Sequence, residues 1–192
     1  MAALAGAFFA EGVDMEGKVA VVTGAASGIG LEFARRCCTD FGMHVVMADV
    51  DAGELAAQAQ ALTAAGPGAA TAVPTDVRQR PDIEALLAAA QAATPSGCID
   101  AVLLNAGVLG AGVNVLKGNE SDWRWVLDVN LFGVLHGLQT FVPAVSEQAR
   151  PCLIAATAST QGLDIGGPPG STASCESSDG VPLSHQTTSD AS

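Results

Sequence analysis

The chain has 192 residues, of which 49% are apolar and 15% charged, with a formal net charge of −12. That length and polarity describe one globular domain with a real core, and so acidic a balance argues against nucleic acid and against an anionic membrane surface as partners. The five cysteines (Cys37, Cys38, Cys98, Cys152, Cys175) include no C-x-x-C pair and no His at ligand spacing, so no metal site is expected, and the two on the first helix, Cys37 and Cys38, read as small hydrophobes in a reducing compartment.

The first ten residues, MAALAGAFFA, lack the basic flank of a signal peptide and are too few to span a bilayer. Residues 1–15 therefore read as a loose extension, and the expected location is cytoplasmic. The apolar, mostly β-branched run Val19–Thr23 is the pattern of a strand buried on both faces. Gly24, Gly28 and Gly30 follow, and then a helical segment in which Ile29, Phe33, Cys37 and Phe41 recur every four residues as one expected apolar face. A strand, a glycine turn and a helix N-terminus make an anion site, because unpaired N–H groups and the helix dipole converge where glycine lets a phosphate approach. His44–Asp49 (HVVMAD) is a second strand ending in a carboxylate, about where a dinucleotide-binding unit needs one for the adenosine ribose. Such an acid accepts from both ribose hydroxyls and repels a 2′-phosphate. No Arg or Lys stands in the glycine turn or just after Asp49, so the expectation is NAD(H) over NADP(H). The competing reading is that Asp49 merely caps the helix after it.

Asp51 and Glu54 have capping-box spacing, with Asp in the Ser/Thr position, before a helix marked by Leu55, Ala59 and Leu62 and stopped by Gly66. Residues 70–74 form a weaker third strand. Pro81 opens a helix whose stripe is Ile83, Leu86, Leu87 and Ala90, closing near Pro95-Ser96-Gly97. Residues 99–105 (IDAVLLN) are a fourth strand, residues 106–118 a glycine-rich loop, and residues 119–122 the opening of a long helix. Residues 152–157 make the fifth strand. Five strand–helix steps with short connections imply an α/β fold: a parallel sheet with right-handed crossovers and helices on both faces.

In this order the motifs resemble the short-chain dehydrogenase/reductase family over roughly residues 15–165. They are Thr23-Gly24-x3-Gly28-Ile29-Gly30, Asp49, Asp76-Val77, Asn105-Ala106-Gly107, Asn130, and Ser159 in S-x-x-G with Gly162. The resemblance implies a Rossmann-type doubly wound sheet, incomplete at about five strands, as a dinucleotide-binding domain over residues 16–165. It implies an oxidoreductase that moves hydride between NAD(H) and an alcohol or carbonyl. Gly24, Ser27, Gly28, Ile29 and Gly30 would cradle the pyrophosphate, with Asp49 on the adenosine ribose. The Asp76 carboxylate and Val77 backbone would meet the adenine, and Asn105, Ala106 and Gly107 would stiffen the sheet and line the nicotinamide ribose. Asn130 would kink its helix and hold a water in a proton relay, and Ser159 would polarise the substrate oxygen.

The same resemblance calls for a Tyr-x-x-x-Lys pair after the serine, in which Lys lowers the Tyr pKa and binds the nicotinamide ribose. This chain has no tyrosine, and its last basic residue is Arg150. The expected window reads Thr172-Ala173-Ser174-Cys175, and the four-residue step from Cys175 reaches Asp179. Residues 166–192 are rich in Ser, Gly, Thr and Pro without apolar period, which reads as a disordered tail on a family member truncated after its fifth strand. Three expectations stand side by side: an NAD-dependent oxidoreductase by resemblance, a catalytically inactive NAD-binding module, and a non-binding interaction fragment. The third draws on residues 123–142, where Trp125, Val126, Val129, Leu131, Phe132, Val134, Leu135 and Leu138 leave little polar face and imply cover from the core or from a second copy. The substrate is not legible.

Overall fold

The computed structural model describes residues 14–110, 119–148 and 150–159. The expected tail and Cys175 lie outside these residues, as does most of the glycine-rich loop. In chain order the elements are β1 (Val19–Thr23), α1 (Gly28–Arg35) prolonged by a π-helical turn (Arg36–Asp40), β2 (His44–Asp49), α2 (Ala52–Ala65), β3 (Ala69–Pro74), α3 (Arg80–Ala92) and β4 (Ala101–Leu104). Then come α4 (Glu120–Leu127), a second π-helical turn (Asp128–Phe132), α5 (Gly133–Glu147) and β5 (Leu153–Ala156).

The sheet is wholly parallel in the order β3-β2-β1-β4-β5. Parallel neighbours need crossovers, and each crossover helix must cover a face, so β1 is buried throughout. Its side chains alternate between two cores. Ala20 and Val22 pack with Ala34, Cys37 and Cys38 of the first helix and Leu55, Ala59 and Leu62 of α2. Val19 and Val21 pack with Ile83, Leu86 and Ala90 of α3 and with Val129, Val134 and Phe141 of the last helix. Phe141 is fully buried, and burying such a side chain contributes roughly 1.5–3 kcal/mol. Met15 is also buried in the first core, so the packed unit already includes residue 15.

The expected apolar face of the first helix holds at Cys37, which is buried, and at Phe33 and Phe41, which are partly buried against the first core, and is corrected at Ile29. Ile29 is 51% exposed, and the buried residues are Gly30, Ala34, Cys37 and Cys38. Four-residue steps drift back against a 3.6-residue turn, and the π-turn inserts a residue that rotates the remainder of the helix by about 100°. Phe41 falls beyond the helix altogether. Helix α2 is capped as expected on one side only: Asp51 Oδ1 accepts from the Glu54 N–H at 3.1 Å, while the Glu54 carboxylate accepts from Gln58 at 2.7 Å instead of returning to Asp51. Gly66 does end α2, but in extended backbone (φ −141°). What requires glycine there is Thr39, whose Cα would lie 2.7 Å from an added Cβ.

Beneath the sheet, opposite the strand ends that carry the motifs, Asp100 ties three strands together. Its Oδ2 accepts from the Val19 N–H at 2.9 Å and its Oδ1 meets the Arg150 guanidinium, while its own carbonyl accepts from the Leu153 N–H. This holds β1, β4 and β5 in register from below and leaves their upper ends free to shape a cleft.

Candidate active site: a cleft over the strand ends

Strand order reverses at β1, whose crossovers leave to either side, and in open parallel sheets a crevice forms at that point above the C-terminal strand ends. A cleft of about 570 Å³ opens there, lined by Gly24, Ser27, Gly28, Ile29, Asp49, Asn105, Ala106, Gly107, Val108, Leu109, Asn130, Thr157, Ala158 and Ser159. Ten of the thirteen candidate site residues therefore share one cavity.

The glycine turn is built by three different requirements. Gly24 has φ +67°, and an added Cβ would lie 2.9 Å from Ala106 Cα, so β1 and β4 meet closely there. Gly28 has φ +56°, and no heavy atom lies within 4 Å of where its Cβ would stand, so the space is open toward the cleft. Gly30 does not line the cavity; an added Cβ would be 2.1 Å from the Gly24 carbonyl oxygen, so it is a packing glycine that lets α1 sit down on the turn. Ser27 caps α1 in extended conformation without a side-chain capping bond, and Ser27, Gly28 and Ile29 at this helix start, where N–H groups lack intrahelical partners, line the cleft. This cradle fits a phosphate group.

Asp49 does not cap α2, since Asp51 does. Its Oδ2 accepts from the Ala26 N–H at 3.0 Å and its Oδ1 from the Asp51 N–H at 3.1 Å. Two backbone amides thus fix the carboxylate and leave about two of its roughly four lone-pair sites for a ligand. No basic residue lines the cleft among the described residues.

On the other side, the Thr23 hydroxyl accepts from the N–H groups of Asn105 and Ala106 at 2.9 and 3.0 Å, and Asn105 Nδ2 donates to the Thr23 carbonyl at 3.2 Å. Asn130 lies within the second π-turn, and its amide pairs with both backbone groups of Val108: Oδ1 accepts from the N–H at 2.8 Å and Nδ2 donates to the carbonyl at 3.0 Å. π-Turns of this kind recur at functional sites because they aim one side chain off the helix ladder. Here that side chain anchors the loop after β4. Ser159 sits two residues beyond Thr157 and lines the same end.

Asp76 and Val77 are not brought into the cleft. The Asp76 carboxylate is held by the Arg78 guanidinium at 2.7 Å, which lowers its pKa through hydrogen bonding and charge. The Val77 side chain packs where a Cβ on Gly133 would be, and its carbonyl meets His136 Nδ1 at 3.0 Å. The sequence reading missed Val108, Leu109, Thr157 and Ala158 as lining residues; all four lie within two residues after a strand end or a named motif, which was the available signal. Burial lifts the thiols of Cys37 and Cys152 to about 12, and neither cysteine borders the cavity. Among the described residues no group of three or more His, Cys, Asp or Glu could hold a metal, and no helix is long and apolar enough to cross a membrane.

Fold and cleft together define the class: a Rossmann-type α/β fold of the kind that binds nicotinamide dinucleotides. The chain belongs to the short chain dehydrogenase family, whose profile matches residues 18–171. It is 39% identical over 153 residues to a 1-deoxy-11-beta-hydroxypentalenate dehydrogenase of Streptomyces exfoliatus, covering 79% of this chain and 54% of that one. A short chain dehydrogenase/reductase of Burkholderia phymatum solved in complex with NAD superposes with a TM-score of 0.81 at 39% identity, covering 88% of this chain and 57% of the other. An actinorhodin polyketide ketoreductase variant solved with NADPH gives 0.76 at 32% identity, over 86% and 61%. The chain spans about half the length of the curated relatives it matches. Structures similar to it thus carry NAD or NADPH.

Proposed function

We propose that this chain is the cofactor-binding part of an NAD(H)-dependent alcohol/carbonyl oxidoreductase, and that the 192-residue polypeptide itself binds NAD(H) without turnover. The observation that supports the reading is Asp49, pinned by two backbone amides at one end of the cleft with acceptor capacity to spare and, among the described residues, no basic side chain lining that cleft. Adenosine ribose hydroxyls would donate to that carboxylate, the pyrophosphate would rest against Gly24, Ser27, Gly28 and the start of α1, and the nicotinamide would reach Asn105–Gly107 and Ser159. Bound nicotinamide would supply or accept the hydride. Ser159 would hold the substrate oxygen, and Asn130 would keep the β4 loop in place. Nothing in the sequence supplies a tyrosine for the proton.

NADH should bind at least about tenfold more tightly than NADPH, which is ~1.4 kcal/mol. Fluorescence titration of both decides it. Equal affinities would remove Asp49 from the ribose, and the absence of binding to either would leave the interaction-fragment reading.

That second reading has its own support. Trp125, Phe132, Leu135 and Val142, on α4, the adjoining π-turn and α5, are 39–44% exposed, while Val126, Val134 and Phe141 of the same helical run are covered by the core. A homo-oligomer through residues 123–142 would cover the exposed set.

A further inference from the structure

The hydroxyl of Thr157 ends a hydrogen-bond chain whose polarity is dictated from β1. The Thr23 carbonyl can only accept, so the Asn105 amide turns Nδ2 toward it, at 3.2 Å. Asn105 Oδ1 consequently faces β5, where it accepts from Thr157 Oγ1 at 2.9 Å. The opposite amide orientation would set oxygen against the Thr23 carbonyl. Gly24 and Gly30 also hold Asn105 Nδ2 closely, because Cβ atoms there would lie 3.1 and 2.7 Å from it. A threonine hydroxyl has one proton, and this one is committed to Asn105. Thr157 is exposed and lines the cleft, so what it offers the cleft is an acceptor.

Position along the cleft decides which part of a ligand meets it. Asp49 ends β2 and Thr157 comes directly after β5, and β1 and β4 lie between them. Three strand spacings separate the two, about 14 Å. A dinucleotide with its adenosine ribose on Asp49 and its pyrophosphate over the β1 turn runs on past β4 toward β5.

We propose that Thr157 is a fixed-polarity acceptor at the nicotinamide end of the cleft, taking a hydrogen bond from a donor of the nicotinamide riboside, either a ribose hydroxyl or the carboxamide N–H. The assignment rests on the dinucleotide reading above. It also ties the two halves of the cleft together, since the residue that donates to Asn105 under the glycine turn is the residue that meets the far end of the cofactor.

The test compares the parent chain with Thr157→Val and Thr157→Ser, without substrate, using NADH and ADP as separate probes by calorimetric titration. One lost hydrogen bond weakens NADH roughly three- to tenfold in Thr157→Val. ADP, which ends before β5, stays within about twofold, and Thr157→Ser returns NADH binding to the parent value. Reduced 3-acetylpyridine adenine dinucleotide, which has no amide donor, then separates the sources. A Thr157→Val loss that persists with it assigns the ribose hydroxyl, and a loss that vanishes assigns the carboxamide. Parallel weakening of ADP and NADH would make Thr157 only a brace for the glycine turn and overturn the proposal, as would unchanged NADH binding in Thr157→Val or failure of the serine variant to restore it. A parent chain that binds neither probe would overturn the dinucleotide reading and this proposal with it.

Discussion

Gly30→Ala and Gly28→Ala are the same chemical change two residues apart, and the structure separates their effects. At Gly30 the added Cβ would sit 2.1 Å from the Gly24 carbonyl oxygen, 2.8 Å from its carbon and 2.7 Å from Asn105 Nδ2. The obstacle is largely backbone, so no rotamer change relieves it. Alanine would otherwise gain ~0.5–1 kcal/mol over glycine inside a helix, whereas forced overpacking costs typically ~1–3 kcal/mol. With a backbone contact this short the cost falls at the upper end, for a net loss of about 2 kcal/mol, or about 4–8 °C in melting temperature for a domain of this size. At Gly28 nothing lies within 4 Å, and the cost is that of holding alanine at φ +56°, roughly 1–2 kcal/mol. Its Cβ would occupy the open space over the phosphate cradle, so NADH affinity should fall by more than about tenfold. Scanning calorimetry and NADH titration on both variants should therefore show Gly30→Ala as the larger loss of melting temperature and Gly28→Ala as the larger loss of binding per degree lost. A Gly30→Ala protein that melts at or above the parent would refute the reasoning, because α1 would then shift away from the turn without cost.

Three further outcomes are expected. Burial holds the Cys37 and Cys152 thiols at about 12 against roughly 8.5 in an unfolded chain, so between those values the folded state binds more protons. Stability should be complete below about pH 8.5 and fall as pH rises toward 12; a urea midpoint unchanged between about pH 8 and pH 10.5 would contradict this. A positioned general acid is worth roughly 10²–10⁴ in rate, so the purified 192-residue chain should show no carbonyl- or alcohol-dependent change in NADH absorbance. Turnover near about one per second that is abolished by Ser159→Ala would show that another residue supplies the proton. Finally, the exposed apolar set on α4–α5 and the edge position of β5 in the described sheet favour self-association, which Trp125→Glu with Leu135→Glu should reduce; sedimentation velocity showing a monomer for the parent at every concentration would count against it.

Much of this protein was legible because the deciding interactions are local or periodic. Val19–Thr23 and His44–Asp49 were read at their observed bounds, since a strand covered on both faces shows as an unbroken apolar run. The Asp51 cap was legible because a cap bonds an N–H three residues ahead. The glycine turn, Asp49, the Asn105 motif, Asn130 and Ser159 could be named in order, and parallel crossovers bring strand ends to one side of a sheet. What the sequence did not contain was set by contacts between distant segments. It showed three glycines without showing that Gly28 opens onto the cleft while Gly30 is pressed against Gly24. It offered Ile29 as core, but the drift of the helix leaves Ile29 exposed and buries Ala34, and the π-turn that follows buries Cys38 beside Cys37. Asp76 stood in the motif series, yet its carboxylate pairs with Arg78 and does not line the cavity. Thr157 was signalled only by its place after β5, because its role lies in a proton committed to Asn105, 52 residues away in the chain. Local chemistry and hydrophobic period set where the strands and helices run; which side of each residue faced the cleft was decided only when the strand ends met.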